Sequence, residues 1–272
     1  MRNGSDDEDQ KTGNRRVRAV ERAVSILRSF TLAEPRQSVA VIAGRTGLDK
    51  ATTARLLATL VDCGLVVHDR DGRSFSLGHG VAQLARAMPQ SLDIHACAEP
   101  VLSDLSRRTT CIAFLSTFAE DGAVCLARAM IDPPVRVQLW SVGERRPYNQ
   151  GAGPRLLFAH LPRDRQEAFL ATPFDCPTPE TIADPESLRA DARRLRAGDV
   201  AVAFDDIVVG LSGAAHLVRN AEGRVIAALS VSGLTPLFRE QYATSIAAVL
   251  KASAAEFERC LVQHGITSLG PA

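Results

Sequence analysis

Two sets of residues combine type and spacing in a way that could do chemistry. Lys50, Thr52, Thr53 and Arg55 crowd the start of KATTARLLATLVDCG, a run in which Leu56, Leu57, Leu60 and Val61 repeat at helical spacing. Cations and hydroxyls at the leading turn of a short helix suit insertion into the major groove of DNA. The second set lies far downstream. Ser230 and Ser232, in VIAALSVSG, share one face of a strand by its period of two, and two hydroxyls on a concave face can hydrogen-bond a carboxylate. In NQGAGPRLLFAHL a glycine-rich loop turns directly into an apolar helix, and the free backbone N–H groups of such a start favour an anion.

Other patterns fall short of a reaction. Gly151-Ala152-Gly153 is followed by Pro154, Arg155 and Leu156 with no third glycine, so it is not a dinucleotide fingerprint. GLSGA at Gly210 to Ala214 resembles a nucleophile elbow but ends in Ala. The six cysteines, Cys63, Cys97, Cys111, Cys125, Cys176 and Cys260, form no C-x-x-C pair and are expected as buried free thiols, not as a zinc knuckle or disulfide framework. His216 and Trp140 are expected to be structural side chains. No metal or cofactor is implied.

The leading helix needs neighbours that hold it. VRAVERAVSILRSF carries Val17, Val20, Val24 and Leu27, with Ile26 and Phe30, on a broad apolar stripe. Ser38 precedes a short helix, VAVIAGRTG, with Val39, Ile42 and Ala43 inward and Gly47 at its end. Asp49 is placed to cap the next helix, which Gly64 closes. Two short helices joined by a tight turn form a helix-turn-helix. After it, LVVHDRDGRSFSL turns at Asp71-Gly72 into a hairpin, or wing, with Arg70 and Arg73 at its tip, and Arg15, Arg16 and Arg18 form a basic arm ahead of the first helix.

The charge is divided in the same way. The formal net charge is +1, yet residues 14 to 80 hold 11 Lys/Arg against 6 Asp/Glu, while residues 81 to 272 hold 19 against 21. A basic module joined to a mildly acidic one suits a protein that meets phosphate with one end. At 272 residues, 46% of them hydrophobic, two domains with separate cores are expected. No apolar run reaches the length of a membrane span, and the acidic start (Asp6, Asp7, Glu8, Asp9) is the reverse of a signal peptide, so a cytoplasmic protein is expected.

AVERAVSILRSF, VAVIAGRTGLDKATTARLLATLVDCGLV and FSLGHGVAQLA resemble the N-terminal domain of the IclR family of bacterial regulators. The resemblance continues through AEPVLSDLSRRT, SVGERRPYNQGAGPRLLFAHLP, TPETIADPESLRADARRLRAGD and VIAALSVSG, so it spans Val17 to Gly265. It implies an α+β protein: a winged helix-turn-helix, a linker helix, and an effector domain with a curved antiparallel sheet flanked by helices. It also implies a homodimer or homotetramer on palindromic double-stranded DNA, acting as repressor or activator and answering to a small carboxylate or aromatic compound. Carried over residue by residue, the effector contacts are Gly151, Ala152, Ser230 and Ser232, with Gly213 opposite the serines. Asp205 and Asp206 stand where relatives carry a pair of carboxylates, and counting from Gly210 or from Gly198 leaves either one facing the pocket. Cys111 and Pro154 replace the usual Glu and Lys, and these changes are expected to alter the pocket's polarity.

The expected boundaries are a tail at 1–14, the winged domain at 15–78, a linker helix at 79–93, the effector domain at 94–265 and a loose tail at 266–272. Within the effector domain, Pro100 is expected in the first turn of a helix and strands around Asp121-Gly122. A short β run is expected at 136–142, a second hairpin around Asn220 to Gly223, and a final helix from Pro236 to His264 that buries Tyr242, Ile246, Val249, Leu250 and Phe257. The leading function is a ligand-responsive regulator of transcription. The competing readings are an enzyme that turns over a small acid, for which nothing catalytic lines up, and a binding or oligomerisation module without DNA affinity.

Overall fold

The structure is a computed structural model that describes residues 17–31, 34–69, 72–87, 94–130, 140–241 and 245–269. The chain divides into two compact units, with the division after Met88.

The first unit is three helices and a two-stranded hairpin: α1 (Arg18–Ser29), α2 (Val39–Thr46), α3 (Lys50–Asp62), β1 (Val66–His68) and β2 (Phe75–Leu77), followed by α4 (His79–Arg86). Ile26, Phe30, Ile42, Leu57, Leu60, Val66 and Phe75 close its core, and each fully buried aliphatic side chain contributes about 1.5–3 kcal/mol. The stripe on α1 is narrower than its sequence suggests. Val17 and Val20 are 62% and 59% exposed, because the first two turns extend beyond the three-helix core and only the end of α1 packs. The hairpin pairs Val66 with Leu77 and His68 with Phe75, and Phe75 also bridges to Gln37, so the wing is tied back to the entry of α2.

The second unit is built on a six-stranded, wholly antiparallel sheet in the order β5-β4-β3-β8-β7-β6. The strands are β3 (Ile112–Phe118), β4 (Ala123–Ala129), β5 (Arg145–Arg146), β6 (Val200–Phe204), β7 (Leu211–Arg219) and β8 (Val225–Leu234). On one face lie α5 (Ile94–Thr109) and α10 (Ala247–Gln263), which bury Leu102, Leu105, Leu250, Phe257 and Leu261 against Leu115, Leu229 and Val231. On the other lie α6 (Ala152–Ala159), α7 (Arg163–Leu170) and α8 (Pro185–Arg196), over Phe114, Ala215 and Ala228. Strand alternation assigns neighbouring residues to opposite cores. Tyr148 anchors the second core by donating its hydroxyl to the Ala119 carbonyl (2.9 Å) while its ring packs edge-on to Phe169.

Both hairpins form where the sequence places them. Several other expectations need correction. Pro100 lies in the interior of α5, which already runs from Ile94; it is exposed there, so its ring and the bond it cannot make both face solvent. Of the β run expected at 136–142, residues 136–139 lie outside the described residues and Trp140 to Val142 are not strand; β5 is the two-residue Arg145–Arg146. Of the final helix expected from Pro236 to His264, α9 (Thr235–Gln241) and α10 are helical, while residues 242–244, Tyr242 among them, lie outside the described residues. Residues 266–269 are not a loose tail: Ile266 is buried, Leu269 packs against the same core, and Asn220 Nδ2 donates to the Thr267 carbonyl (2.8 Å). Cys97 and Cys260 are not free thiols but a disulfide between α5 and α10, and Cys63 and Cys176 are exposed.

Candidate nucleic-acid interface and ligand pocket

The α2-α3 corner is set by three local devices. Ser38 Oγ accepts the Val41 N–H at the start of α2, Gly47 turns the chain at φ +67°, and Asp49 Oδ1 accepts the Thr52 N–H at 2.8 Å. A cap of this kind is worth about 1 kcal/mol. The Thr52 N–H holds the Asp49 carboxyl below the usual carboxylate range. Lys50 and Arg55 are fully presented to solvent on the outer face of α3, and Thr52 is half-buried beside them.

Thr53 does not belong with them. It is completely buried one turn before Leu57, and its hydroxyl donates to the Asp49 carbonyl at 2.9 Å, so it cannot reach DNA. The helical period moves it 100° from Thr52 and onto the core face. Arg18 and Arg73 are exposed on α1 and beside the wing. Arg15, Arg16 and Arg70 lie outside the described residues.

What fixes α3 against the wing and α4 is a close backbone approach. The Gly78 N–H donates to Leu65 O (2.8 Å) and the Gly80 N–H to Gly64 O (3.1 Å). A Cβ on Gly78 would lie 2.3 Å from Gly64 O, and one on Gly80 2.8 Å from it.

In the second unit a cleft opens between the start of α6 and the sheet, enclosing with its mouth about 460 Å³. Phe114, Trp140 and Ile207 supply apolar wall, Ser230 and Ser232 line the sheet side, and Arg146 and Asp206 bring charge. Gly151 and Ala152 line it at the helix start, and Gly213 pairs with Ser232 across β7 and β8. Gly153 also lines it, and a Cβ there would stand 3.3 Å from Ser116 Oγ and 3.5 Å from Ser230 Oγ, so a side chain would press α6 away from the sheet.

The electrostatics are organised around Asp206, which is 4% exposed. Its Oδ2 accepts the Gly151 N–H at 2.7 Å and stands 3.5 Å from Arg155 Nη1. Arg155 in turn is held by Asp191 at 2.9 Å, and Asp191 also pairs with Arg194. Burial pushes the Asp206 carboxyl up, against the opposing pull of the Gly151 N–H, Arg155 and Arg146. Burial likewise lowers Arg146, to about 10, and its guanidinium carbon sits 4.8 Å above the Trp140 ring. The Trp140 indole is fixed by donating to Glu144 O at 2.9 Å. Asp206 thus occupies one of the backbone N–H groups, that of Gly151, which the glycine-rich helix start was expected to offer a ligand.

The structure separates the two aspartates. Asp205 adopts φ +56° and spends its carboxylate on the Gly210 N–H and the Thr235 hydroxyl, both at 2.7 Å, so it shapes the β6-β7 turn and does not line the cleft. Those bonds hold it below the usual range. Cys111 packs with the α5-α10 core on the other side of the sheet and leaves the cleft's polarity unchanged; burial pushes its thiol up to about 11. Pro154 does line the cleft. Trp140 is more than a structural side chain, since its ring is a wall of the site. Arg146, Phe114 and Ile207 went unread in the sequence: a two-residue strand has no periodicity to announce Arg146. Ser212, the serine of GLSGA, lies within β7 with its hydroxyl 2.8 Å from that of Thr235.

Comparison with known proteins agrees with this geometry. Residues 19–70 match the IclR helix-turn-helix domain, and residues 86–259 match the domain described as bacterial transcriptional regulator IclR C-terminal. The Pca regulon regulatory protein of Pseudomonas putida is 31% identical over 216 residues, covering 79% of this chain and 73% of that protein. The HTH-type transcriptional regulator XynR of Escherichia coli is 30% identical over 221 residues, covering 80% and 87%. Among solved structures, the IclR transcriptional regulator of Alicyclobacillus acidocaldarius superposes with a TM-score of 0.78 at 26% identity, covering 90% of this chain and 99% of that one. An IclR homolog of Microbacterium hydrocarbonoxydans, complexed with 4-hydroxybenzoate, shares the fold with a TM-score of 0.75 at 24% identity, covering 90% and 99%. With both of its units matched, the chain belongs to the IclR family of bacterial transcriptional regulators.

Proposed function

We propose that this regulator controls a catabolic operon in response to a small carboxylate carrying an aromatic ring, bound in the cleft of the second unit. The observation that carries the reading is the juxtaposition of Arg146 with the Trp140 and Phe114 rings, opposite the Ser230 and Ser232 hydroxyls. A planar acid presents two apolar faces and one charged edge, and the cleft offers rings, a cation and the Ser230 hydroxyl in one place, with the Ser232 hydroxyl donating to the Ser212 carbonyl beside it. Gly151, Ala152 and Gly213 border the ligand, and Asp206 sets the field around it. The similarity to a regulator of the Pca regulon, and the 4-hydroxybenzoate held by the Microbacterium homolog, support an aromatic acid.

On the DNA side, Lys50, Thr52 and Arg55 read the major groove of a palindromic operator, and Arg18 and Arg73 meet phosphate, together with Arg15, Arg16 and Arg70. A homodimer or homotetramer presents paired α3 helices. Exposed Val17 and Val20 on α1 and Leu84 on α4, the last 63% exposed, support a second copy covering them. Such a protein works in the cytoplasm, where the operator is. Ligand binding then biases the spacing of the paired helices and so the operator affinity.

The test has two arms. Titrating 4-hydroxybenzoate against 4-hydroxybenzyl alcohol, with Trp140 fluorescence as the signal, is expected to show saturable binding of the acid only, weakened at least tenfold by Arg146→Gln. Equal binding of the neutral alcohol refutes the role of the charge. Retardation of the gene's own upstream DNA is expected to weaken in Arg55→Ala, with discrimination against unrelated DNA relaxed as for a lost base contact. Unchanged binding removes Arg55 from the interface.

A further inference from the structure

On the face of the sheet away from the cleft, two cysteines 163 residues apart meet. Cys97 lies fully buried in the first turns of α5, Cys260 half-buried near the end of α10, and the two are bonded through sulfur. His264, exposed at the end of α10, places Nδ1 3.6 Å from each Sγ. The same Nδ1 is 2.9 Å from the Cys260 carbonyl oxygen, which can only accept, so this ring nitrogen carries a proton that goes first to the carbonyl and only at longer range to the two sulfurs. A proton donor beside a sulfur stabilises the thiolate, the form that attacks disulfides. A regulator bound to chromosomal DNA works where thiols are kept reduced, and there a protein disulfide is as a rule transient and redox-sensing.

We propose that Cys97 and Cys260 form a reversible oxidation site: a dithiol under reducing conditions, closed to the disulfide by a low-molecular-weight disulfide, with Cys260 the attacking sulfur and His264 the group that supports its thiolate. Cys260 is the partner that solvent reaches. Its thiolate attacks one sulfur of the small disulfide, forming a mixed disulfide and releasing one small thiolate, which takes up the proton that Cys260 gave to the medium. Cys97 then loses its proton and attacks the Cys260 sulfur, and the second small thiolate leaves and is protonated. Two protein thiols are oxidised and one small disulfide is reduced to two thiols. The bond fastens α5, the helix that opens the second unit, to α10. This site is independent of the cleft and of the ligand proposed for it.

The experiment uses the full chain carrying Cys63→Ser and Cys176→Ser, which removes the two exposed free thiols. The protein is equilibrated in glutathione buffers of graded reduced-to-oxidised ratio, quenched with acid, alkylated and peptide-mapped. The expected result is a Cys97–Cys260 disulfide whose fraction titrates with the ratio as a two-electron couple. Reduction is expected to lower the melting temperature reported by Trp140 by on the order of 10 °C, given the length of the loop the bond closes. Cys260→Ser is expected to abolish both dependences, and His264→Gln to slow closure several-fold without moving the endpoint. Should Cys260→Ser fail to fold, the mapped titration of the unaltered pair still decides. A pair that stays oxidised in excess dithiothreitol, or stays reduced at every ratio, overturns the proposal. So does a reduced pair shielded from alkylation until a chelator is added, since the trio then holds a metal.

Discussion

Gly78→Ala isolates a steric contribution with no conformational one. Gly78 has φ −87° and ψ 168°, which any residue adopts, so the backbone accepts alanine without strain. The new Cβ, however, would stand 2.3 Å from Gly64 O, 3.1 Å from Gly64 C and 3.2 Å from Leu65 C. These are main-chain atoms at the exit of α3 and cannot rotate away. Separating them to a tolerable contact strains the Gly78 N–H···O Leu65 and Gly80 N–H···O Gly64 bonds, now 2.8 and 3.1 Å. Overpacking costs about 1–3 kcal/mol and each weakened hydrogen bond about 0.5–1.5 kcal/mol, for a loss of about 2 kcal/mol at the least. For a unit of this size that is a fall of about 8 °C or more in its transition. The assay follows from the single tryptophan, Trp140, which lies in the second unit and reports on it. Far-UV circular dichroism of the full chain is expected to show the early helical loss displaced downward, with the Trp140 fluorescence transition moved by less than about 1 °C. Identical melts for variant and parent would refute the argument, because the carbonyl would then yield at no cost. Equal displacement of both signals would show that the cost is not confined to the first unit.

Gly47→Ala is the converse: at φ +67° with open space around the position, its cost is conformational, about 1–2 kcal/mol, and Gly47→Asn should recover part of it in the same melt. Asp206→Asn tests the raised carboxyl. A group whose folded pKa exceeds its unfolded value weakens the fold above that folded pKa and ceases to do so as pH falls through it. Urea unfolding followed by Trp140 should therefore show the variant gaining on the parent as pH rises from acid to neutral, and a pH-independent difference would count against it. Ellman's reagent at pH 8 should titrate two thiols in the native oxidised protein, those of Cys63 and Cys176, leaving Cys111 and Cys125, which burial pushes up to about 11 and 12, silent until denaturation; four fast thiols would show that the core is open.

The parts legible in the sequence are those in which local chemistry and global fold agree. Ser38, Gly47 and Asp49 announce the α2-α3 corner because capping and left-handed turns are properties of a few neighbouring residues. Both sheet hairpins are marked by Asp121-Gly122 and by Asn220 to Gly223. Periodicity alone misleads where only part of a stripe is covered, as with Val17 and Val20, and where one helical step decides the face, as with Thr53. The cleft was half legible. Ser230 and Ser232 follow from strand alternation, but the distinction between Asp205 and Asp206 depends on a positive φ and on which amide comes within reach. Arg146 and Trp140 come from segments with no regular repeat, and the Cys97–Cys260 pairing needs two helices 163 residues apart to be brought together.

If the cleft takes an acid as proposed, the Asp206 carboxylate on the Gly151 amide is a tethered stand-in for that ligand. Any incoming acid that uses that N–H competes with a group whose effective concentration is set by the fold and not by the solution, so its measured affinity falls short of the intrinsic one by the population of the self-occupied state. An acid that leaves Asp206 in place must instead take its charge to Arg146 and accept a fixed negative neighbour. On that reading, discrimination between acids becomes a matter of which one can displace or tolerate the resident carboxylate.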